Sequence, residues 1–158
     1  MTMKLKPLIE VRVQREDFCA AQEERALAAA GDGVGATVAF TGWVRNRNEG
    51  TGVSSLFLEH YPGMTERTIT QIAEQAALRW GLLAVTVVHR VGQLQVGERI
   101  VYVGVAGAHR GGAFAAAEFV MDYLKTQAPF WKKETTDAGE RWLDARDTDQ
   151  SAAQRWSP

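Results

Sequence analysis

The sequence contains few of the residues that build disulfide frameworks and metal sites. Its 158 residues include a single cysteine, Cys19, and three histidines. One cysteine cannot form an internal disulfide, and this usage fits a reducing compartment. The histidines, His60, His89 and His109, stand at no spacing that is typical of metal ligands. We therefore expect no metal site and no bound cofactor.

A strong net charge and long apolar runs are also absent. Hydrophobic residues make up 46% of the chain, charged residues make up 23%, and the net charge is -1 at pH 7. This balance is typical of an ordinary globular protein, and it gives no global attraction to nucleic acid or to an anionic membrane. The N-terminal segment lacks the apolar block of a signal peptide, and no window is long enough for a membrane span. A cytoplasmic location is the default expectation.

The motifs of several common enzyme classes are missing as well. The chain has no Walker loop, no GxGxxG after a strand and no GxSxG elbow, so it matches neither nucleotide-binding nor serine-hydrolase templates. Cys19 has no histidine at a position that is diagnostic of cysteine catalysis. If this protein handles sulfur, another molecule must therefore carry it.

The patterns that are present predict an α+β fold. Apolar stripes at helical spacing alternate with short β-branched runs, and the predicted elements do not form repeated βαβ units. We predict a mainly antiparallel sheet with three helices, in a single catalytic domain over residues 1–145. Residues 146–158 carry no periodic pattern, and we expect a tail that is mobile or depends on a partner for its order.

The stretch from residue 108 to residue 134 concentrates the candidate chemistry. Lys125 falls in the last turn of a predicted helix, and Pro129 forces the chain out of that helix into a strand. Alternation along the strand turns Lys132 away from Trp131 and Lys133, so Lys125 and Lys132 can face one cleft from two elements. A structural alternative stays open, because the helix dipole favours a lysine at this end and the strand is amphipathic in any case.

Basic side chains recur at the predicted ends of strands and helices. Together they suit a phosphorylated or otherwise anionic small molecule, with arginines as bidentate clamps and lysines as point charges or acid–base groups. The set comprises Arg45, Arg90, His109, Arg110, Lys125, Lys132 and Lys133.

Six motifs in fixed order give the chain a specific resemblance. They are FTGWVRN, LEHYPGM, HRVGQL, AHRGGAF, DYLK and APFWKKE. In this order and at these separations the sequence closely resembles the catalytic large subunits of molybdopterin synthases, over about residues 35–145. The resemblance implies an α/β hammerhead-type fold and a homodimer within a heterotetramer. It also implies a sulfurtransferase of molybdenum cofactor biosynthesis.

The resemblance further implies a partner, a substrate and roles for individual residues. The partner is a small ubiquitin-like sulfur-carrier subunit, whose C-terminal Gly-Gly thiocarboxylate delivers sulfur to cyclic pyranopterin monophosphate in two rounds. Lys125 and Lys132 match the catalytic lysines of the family. Matches to substrate-pocket positions are Trp43, Val44, Arg45, His109, Arg110, Lys133 and Glu134.

Two other classes of function compete with this interpretation. The chain could be a non-catalytic docking module for the tail of a ubiquitin-like partner, with its lysines used only for electrostatic contact. It could also bind RNA or DNA with Trp43 and Trp131 as stacking platforms, although its slightly negative net charge argues against nucleic acid.

Overall fold

A computed structural model describes residues 6–144 and 147–157 of the chain. Over these ranges two sheets and their helices are built from elements that follow one another along the chain in this order: β1 (Leu8–Gln14), α1 (Ala20–Ala28), β2 (Ala36–Trp43), β3 (Arg47–Asn48), β4 (Thr51–His60), α2 (Met64–Trp80), β5 (Ala84–Arg90), β6 (Gly92–Gln95), β7 (Arg99–Gly107), α3 (Arg110–Gln127), β8 (Phe130–Thr136), β9 (Gly139–Leu143) and α4 (Asp147–Gln154).

The first sheet has the strand order β1-β5-β7-β2. β1 runs parallel to β5, and the other two pairings are antiparallel. Every residue of β5 is buried, as the uniformly apolar run of a central strand predicts. The class predicted from the sequence, α+β with mainly antiparallel pairing, is therefore confirmed.

The second sheet has the order β3-β4-β8-β9, and β6 pairs with β4 on the side away from β8. A single residue, Val91, separates the end of β5 from the start of β6. The chain thus passes directly from the first sheet into the second at this point. An apolar cluster fills the seam between the sheets, and it includes Val44, Leu58 and Leu94.

Alternation along β5 and β7 divides the core into two layers. Val85 and Val87 of β5 join the apolar cluster that contains the buried stripes of α2 and α3. Ala84 and Val88 face the other way, toward Leu27 of α1. Because side chains two residues apart share a face, odd-numbered positions of β5 point toward α2 and α3.

The predicted count of three helices is wrong, because the described residues contain a fourth, α4. Its sequence has no long apolar stripe, so pattern alone did not reveal it. Contacts made just beyond the helix hold it: the ring of Trp156 packs against Trp80 at 5.5 Å and Phe119 at 5.7 Å, and its Nε1 donates to Asp122 at 2.7 Å.

Other expectations about the ends of the chain stay predictions. The predicted boundary between residues 145 and 146 lies outside the described residues, and the division into one domain and a tail stays a prediction. The expected dependence of the tail on a partner for its order also stays a prediction. Within the described ranges, no helix is both long enough and apolar enough to cross a membrane.

Candidate active site

A cavity of about 1110 Å³ lies where the two sheets meet the C-terminal end of α3. Both sheets, the last turn of α3 and the start of α4 contribute to its wall. Polar and charged side chains on this wall include Thr41, Arg45, Arg47, Asn48, Glu49, His89, Lys125, Lys132, Glu134, Arg141, Asp144, Thr148 and Asp149.

The two predicted catalytic lysines come to this cavity from different elements. Lys125 is exposed in the last turn of α3, and Lys132 is partly buried on β8. Trp131 alternates outward and is 51% exposed. Lys133 also turns away from the cavity: its Nζ lies 3.4 Å from Glu140 on β9. The convergence expected for Lys125 and Lys132 is therefore observed, whereas the expected place of Lys133 beside the substrate is not.

The segment after β2 brings Arg45 to the same cavity. A register shift between Gly42 and Trp43 ends the regular pairing of β2 with β7. Val44 is buried, and its amide and carbonyl bond to Glu98 and Gly97 at 2.9 Å each. This backbone clamp fixes the residue that follows, so the exposed Arg45 projects from a rigid support. Trp43 and Val44 also line the cavity, as the resemblance implied.

Glu134 lies in the cavity wall, but its oxygens are already engaged. The residue is 4% exposed. Oε1 accepts a hydrogen bond from Asn48 at 2.6 Å, and Oε2 accepts two from Arg141 at 3.0 and 3.1 Å. These contacts join β3, β8 and β9 around one buried carboxylate. The geometry gives Glu134 a supporting position, and the two residues that it holds, Asn48 and Arg141, were missed by sequence reasoning.

The expected contribution of His109 and Arg110 is not found within one chain. Both residues are exposed and neither lines the cavity among the described residues. His109 caps the start of α3 in extended conformation, and Arg110 is the first helical residue. Since Lys125 lies fifteen residues further along the same helix, a rise of 1.5 Å per residue separates the two ends by about 22 Å.

Arg90 is likewise placed elsewhere, although its charge suggested an anion ligand. Its guanidinium is buried and bonds to the carbonyl oxygens of Arg15 and Arg99 at 3.0 to 3.1 Å. It also lies 3.3 Å from Glu98. Arg90 therefore ties the end of β1 to the start of β7, and it supports the clamp that holds Val44.

His89 lines the cavity and was not among the predicted site residues. Its Nδ1 lies 2.8 Å from the carbonyl oxygen of Arg90, and its ring stacks on Phe130 at 3.8 Å between centroids. Burial, together with the charges of Lys132, Lys125 and His60, lowers the pKa of His89 to about 3, against the opposing effect of the hydrogen bond to Arg90. The imidazole is therefore neutral at physiological pH. The His89-Arg90 pair at the end of an apolar run was the feature of the sequence that could have pointed to this residue.

The donor set does not suggest a metal centre. No group of three or more potential ligands converges among the described residues. Cys19 is exposed at the start of α1 and does not line the cavity. The chemistry that the cavity offers is thus that of amines, guanidinium groups, carboxylates and a neutral imidazole.

Comparison with known proteins identifies the family. The family model described as MoaE protein matches residues 13–127. The chain belongs to the MoaE protein family. It is 56% identical over 146 residues to a molybdopterin synthase catalytic subunit of Pseudomonas aeruginosa, covering 92% of this chain and 97% of that protein.

Solved structures of MoaE-type proteins have the same fold. A molybdopterin biosynthesis MoaE protein from Burkholderia ambifaria superposes with a TM-score of 0.82 at 50% identity, covering 96% of this chain and 99% of that one. A molybdopterin synthase from Staphylococcus aureus gives 0.78 at 30% identity, over 84% and 96% of the two chains.

The function of this MoaE-family chain follows from these relatives. It is a molybdopterin synthase catalytic subunit by function, a sulfur-transferring enzyme of molybdenum cofactor biosynthesis. The prediction of an enzyme is thereby confirmed over a non-catalytic docking module. The roles of individual residues, which the comparisons do not address, stay predictions.

Proposed function

We propose that this chain moves sulfur from the C-terminal thiocarboxylate of a small ubiquitin-like carrier subunit to cyclic pyranopterin monophosphate, giving the dithiolene of molybdopterin in two rounds. The observation that carries the proposal is the convergence of Lys125 and Lys132 on one cavity with Arg45. The cavity volume of about 1110 Å³ exceeds the roughly 300–1,000 Å³ typical of small-molecule pockets. This leaves room for the substrate together with an extended peptide tail.

The absence of a reactive thiol supports a sulfur donor on a partner. Cys19 is the only cysteine of the chain, and it does not line the cavity. A carrier thiocarboxylate enters as an anion, and two ammonium groups stabilise such a charge in a partly enclosed site. In each round the carrier sulfur bonds to a substrate carbon while a carbon–oxygen bond at that carbon breaks, which gives a thioester between carrier and substrate. Water then hydrolyses this thioester at its acyl carbon–sulfur bond, so that the sulfur stays on the substrate and the carrier leaves with a carboxylate.

Each cationic side chain at the cavity has a distinct task in this proposal. Arg45 clamps the phosphate of the substrate, because a guanidinium binds phosphate oxygens in pairs. Lys125 contacts the incoming thiocarboxylate and the substrate, and Lys132 assists proton transfer. Glu134 and Arg141 keep the β8 strand that carries Lys132 in register with β9.

Substitution of Lys125 tests the catalytic assignment. Lys125→Ala should lower conversion of the pyranopterin by at least about a hundredfold, the contribution of one positioned group that stabilises a developing negative charge, when thiocarboxylated carrier and substrate are supplied together. Its unfolding midpoint should match the wild type, since the side chain is exposed. The matched control is Lys6→Ala, since Lys6 is exposed and lies outside the cavity; this variant should convert the pyranopterin at the wild-type rate. Near-normal conversion by folded Lys125→Ala protein contradicts the assignment.

A homodimer within a heterotetramer accounts for His109 and Arg110. These side chains lie about 22 Å along α3 from the cavity of their own chain. We propose that a second protomer presents them to that cavity, where they bind the anionic substrate.

Mixed dimers test this arrangement. Lys125→Ala and Arg110→Ala proteins, each inactive alone, should regain about a quarter of wild-type activity when unfolded and refolded together. Half of randomly paired dimers are mixed, and one of the two sites in each mixed dimer is intact. No recovery in dimers that are demonstrably mixed contradicts a shared site.

The cytoplasmic location expected from the sequence stays a prediction.

A further inference from the structure

His89 occupies a part of the cavity wall that the proposed roles have not used. It is the penultimate residue of β5, it is 4% exposed, and it lines the cavity together with Lys125 and Lys132. β5 belongs to the first sheet, and Val91 leads from it into the second. The ring is therefore held by two sheets and not by a loop.

Two contacts fix the orientation of the ring. Nδ1 lies 2.8 Å from the carbonyl oxygen of Arg90. A carbonyl only accepts hydrogen bonds, so Nδ1 carries the proton and donates it. The ring stacks on Phe130 with 18° between the planes. In a neutral imidazole with this tautomer, Nε2 holds the lone pair and acts as an acceptor.

The sheet geometry brings Lys132 to the cavity wall that also carries His89, close enough for its charge to act on the ring. His89 shares the α3-facing side of β5 with Val85 and Val87. On β8, Phe130 and Lys132 are two residues apart, so their side chains share a face. The face of β8 that carries the stacked Phe130 is thus also the face that carries the amine.

The surroundings call for a neutral acceptor at this place. An ammonium group has three donors and no acceptor, and two such groups line the cavity. A protonated imidazole would add a further cation, while the neutral ring adds none.

We propose that His89 is a positioning residue of the sulfur-transfer site, whose Nε2 accepts a hydrogen bond from the Lys132 ammonium and holds that amine toward the reacting atoms. The inference rests on the proposed function for its catalytic meaning. The hydrogen bond itself can be tested without turnover. The lowered pKa of His89, to about 3, keeps the acceptor available throughout the physiological range.

Nitrogen NMR of the full chain labelled with ¹⁵N-histidine tests the bond. The expected spectrum has a protonated Nδ1 and an unprotonated Nε2 for His89. Lys132→Met, which removes the donor and keeps the stem, should shift the Nε2 resonance. Lys125→Met removes a second cavity charge and is the matched control, and it should shift that resonance much less. An Nε2 resonance that is unchanged in Lys132→Met, or equally shifted in both variants, overturns the proposal.

Turnover with thiocarboxylated carrier tests the consequence. His89→Gln keeps an acceptor near the position of Nε2 and should stay within about threefold of the wild-type kcat. His89→Phe keeps a stacking ring without an acceptor, and its kcat should fall about tenfold to a hundredfold, the loss of one hydrogen bond to a charged group, with KM nearly unchanged. Equal rates for the two variants in folded protein overturn the positioning role.

A failure of the proposed function can be distinguished from a failure of the hydrogen bond between His89 and Lys132. If wild-type protein does not convert the pyranopterin, the proposed function fails, and the positioning role fails with it. The NMR result then still reports whether the hydrogen bond exists.

Discussion

Acidification should destabilise the fold through His89. The ring is buried with a pKa of about 3, against 6.5 for an ordinary histidine. The unfolded chain therefore binds more protons than the native chain between these two values, and stability falls as the pH drops through that window. The linkage relation gives a loss in the free energy of unfolding of about 2 kcal/mol between pH 8 and pH 5, and of about 4 kcal/mol by pH 3.

Urea unfolding of wild type and His89→Phe at several values between pH 8 and pH 5 measures this loss. The variant should be less stable at pH 8, because the carbonyl of Arg90 loses its donor. The difference between the two proteins should then shrink by about 2 kcal/mol toward pH 5, since only the wild type carries the titrating ring. If the stability difference between the two proteins does not change with pH, the reasoning is refuted, because a ring that titrates at its ordinary pKa makes the free energy of unfolding no more dependent on pH.

Three further substitutions test the packing around the site by urea or thermal unfolding. Arg141→Ala should cost about 1.5–3 kcal/mol and lower turnover, because the buried Glu134 carboxylate loses its bonds to a guanidinium that is itself 38% exposed; a loss below about 0.5 kcal/mol contradicts this. Gly35→Ala should lower the free energy of unfolding by about 3 kcal/mol or more, since a Cβ at this position overlaps the backbone oxygen of Ala108. Tyr102→Phe should be neutral or stabilising by up to about 1 kcal/mol, because the buried hydroxyl has no partner among the described residues.

Local pattern was sufficient to predict how the two lysines approach one cavity. The proline after α3 and the two-residue alternation of β8 are short-range effects, so they can be read from the sequence. They place Lys125 and Lys132 on the cavity and turn Lys133 away. The resemblance suggested Lys133 as a substrate ligand, and alternation along the strand already argued against that position.

Helix length could have corrected another expectation. Arg110 and Lys125 stand at opposite ends of one 18-residue helix, and a rigid rod of that length does not bring its ends together. Sequence reasoning treated both as members of one cluster, because it considered charge and motif without distance. Only a second copy of the chain can place both at one site, and a single sequence gives no direct sign of a dimer interface.

Long-range contacts explain what sequence patterns did not reveal. The two-residue β3 and the four-residue β6 are too short to show a period, and they exist because β4 offers them partners. α4 lacks an apolar stripe and depends on Trp156 and its neighbours. Glu134 and Arg141 are direct cross-strand partners in the β8–β9 hairpin, and the short turn between these two strands sets that pairing.

The path of the sulfur atom tests the central claim most directly. Carrier whose thiocarboxylate contains ³⁴S is mixed with excess protein and with cyclic pyranopterin monophosphate, and the product is analysed by mass spectrometry. The wild-type product should contain the label at both dithiolene positions, and folded protein with Lys125 and Lys132 both replaced by alanine should give no labelled product. Labelled product formed at the wild-type rate by that double variant would contradict the claim that these two amines perform the transfer in the cavity between the sheets.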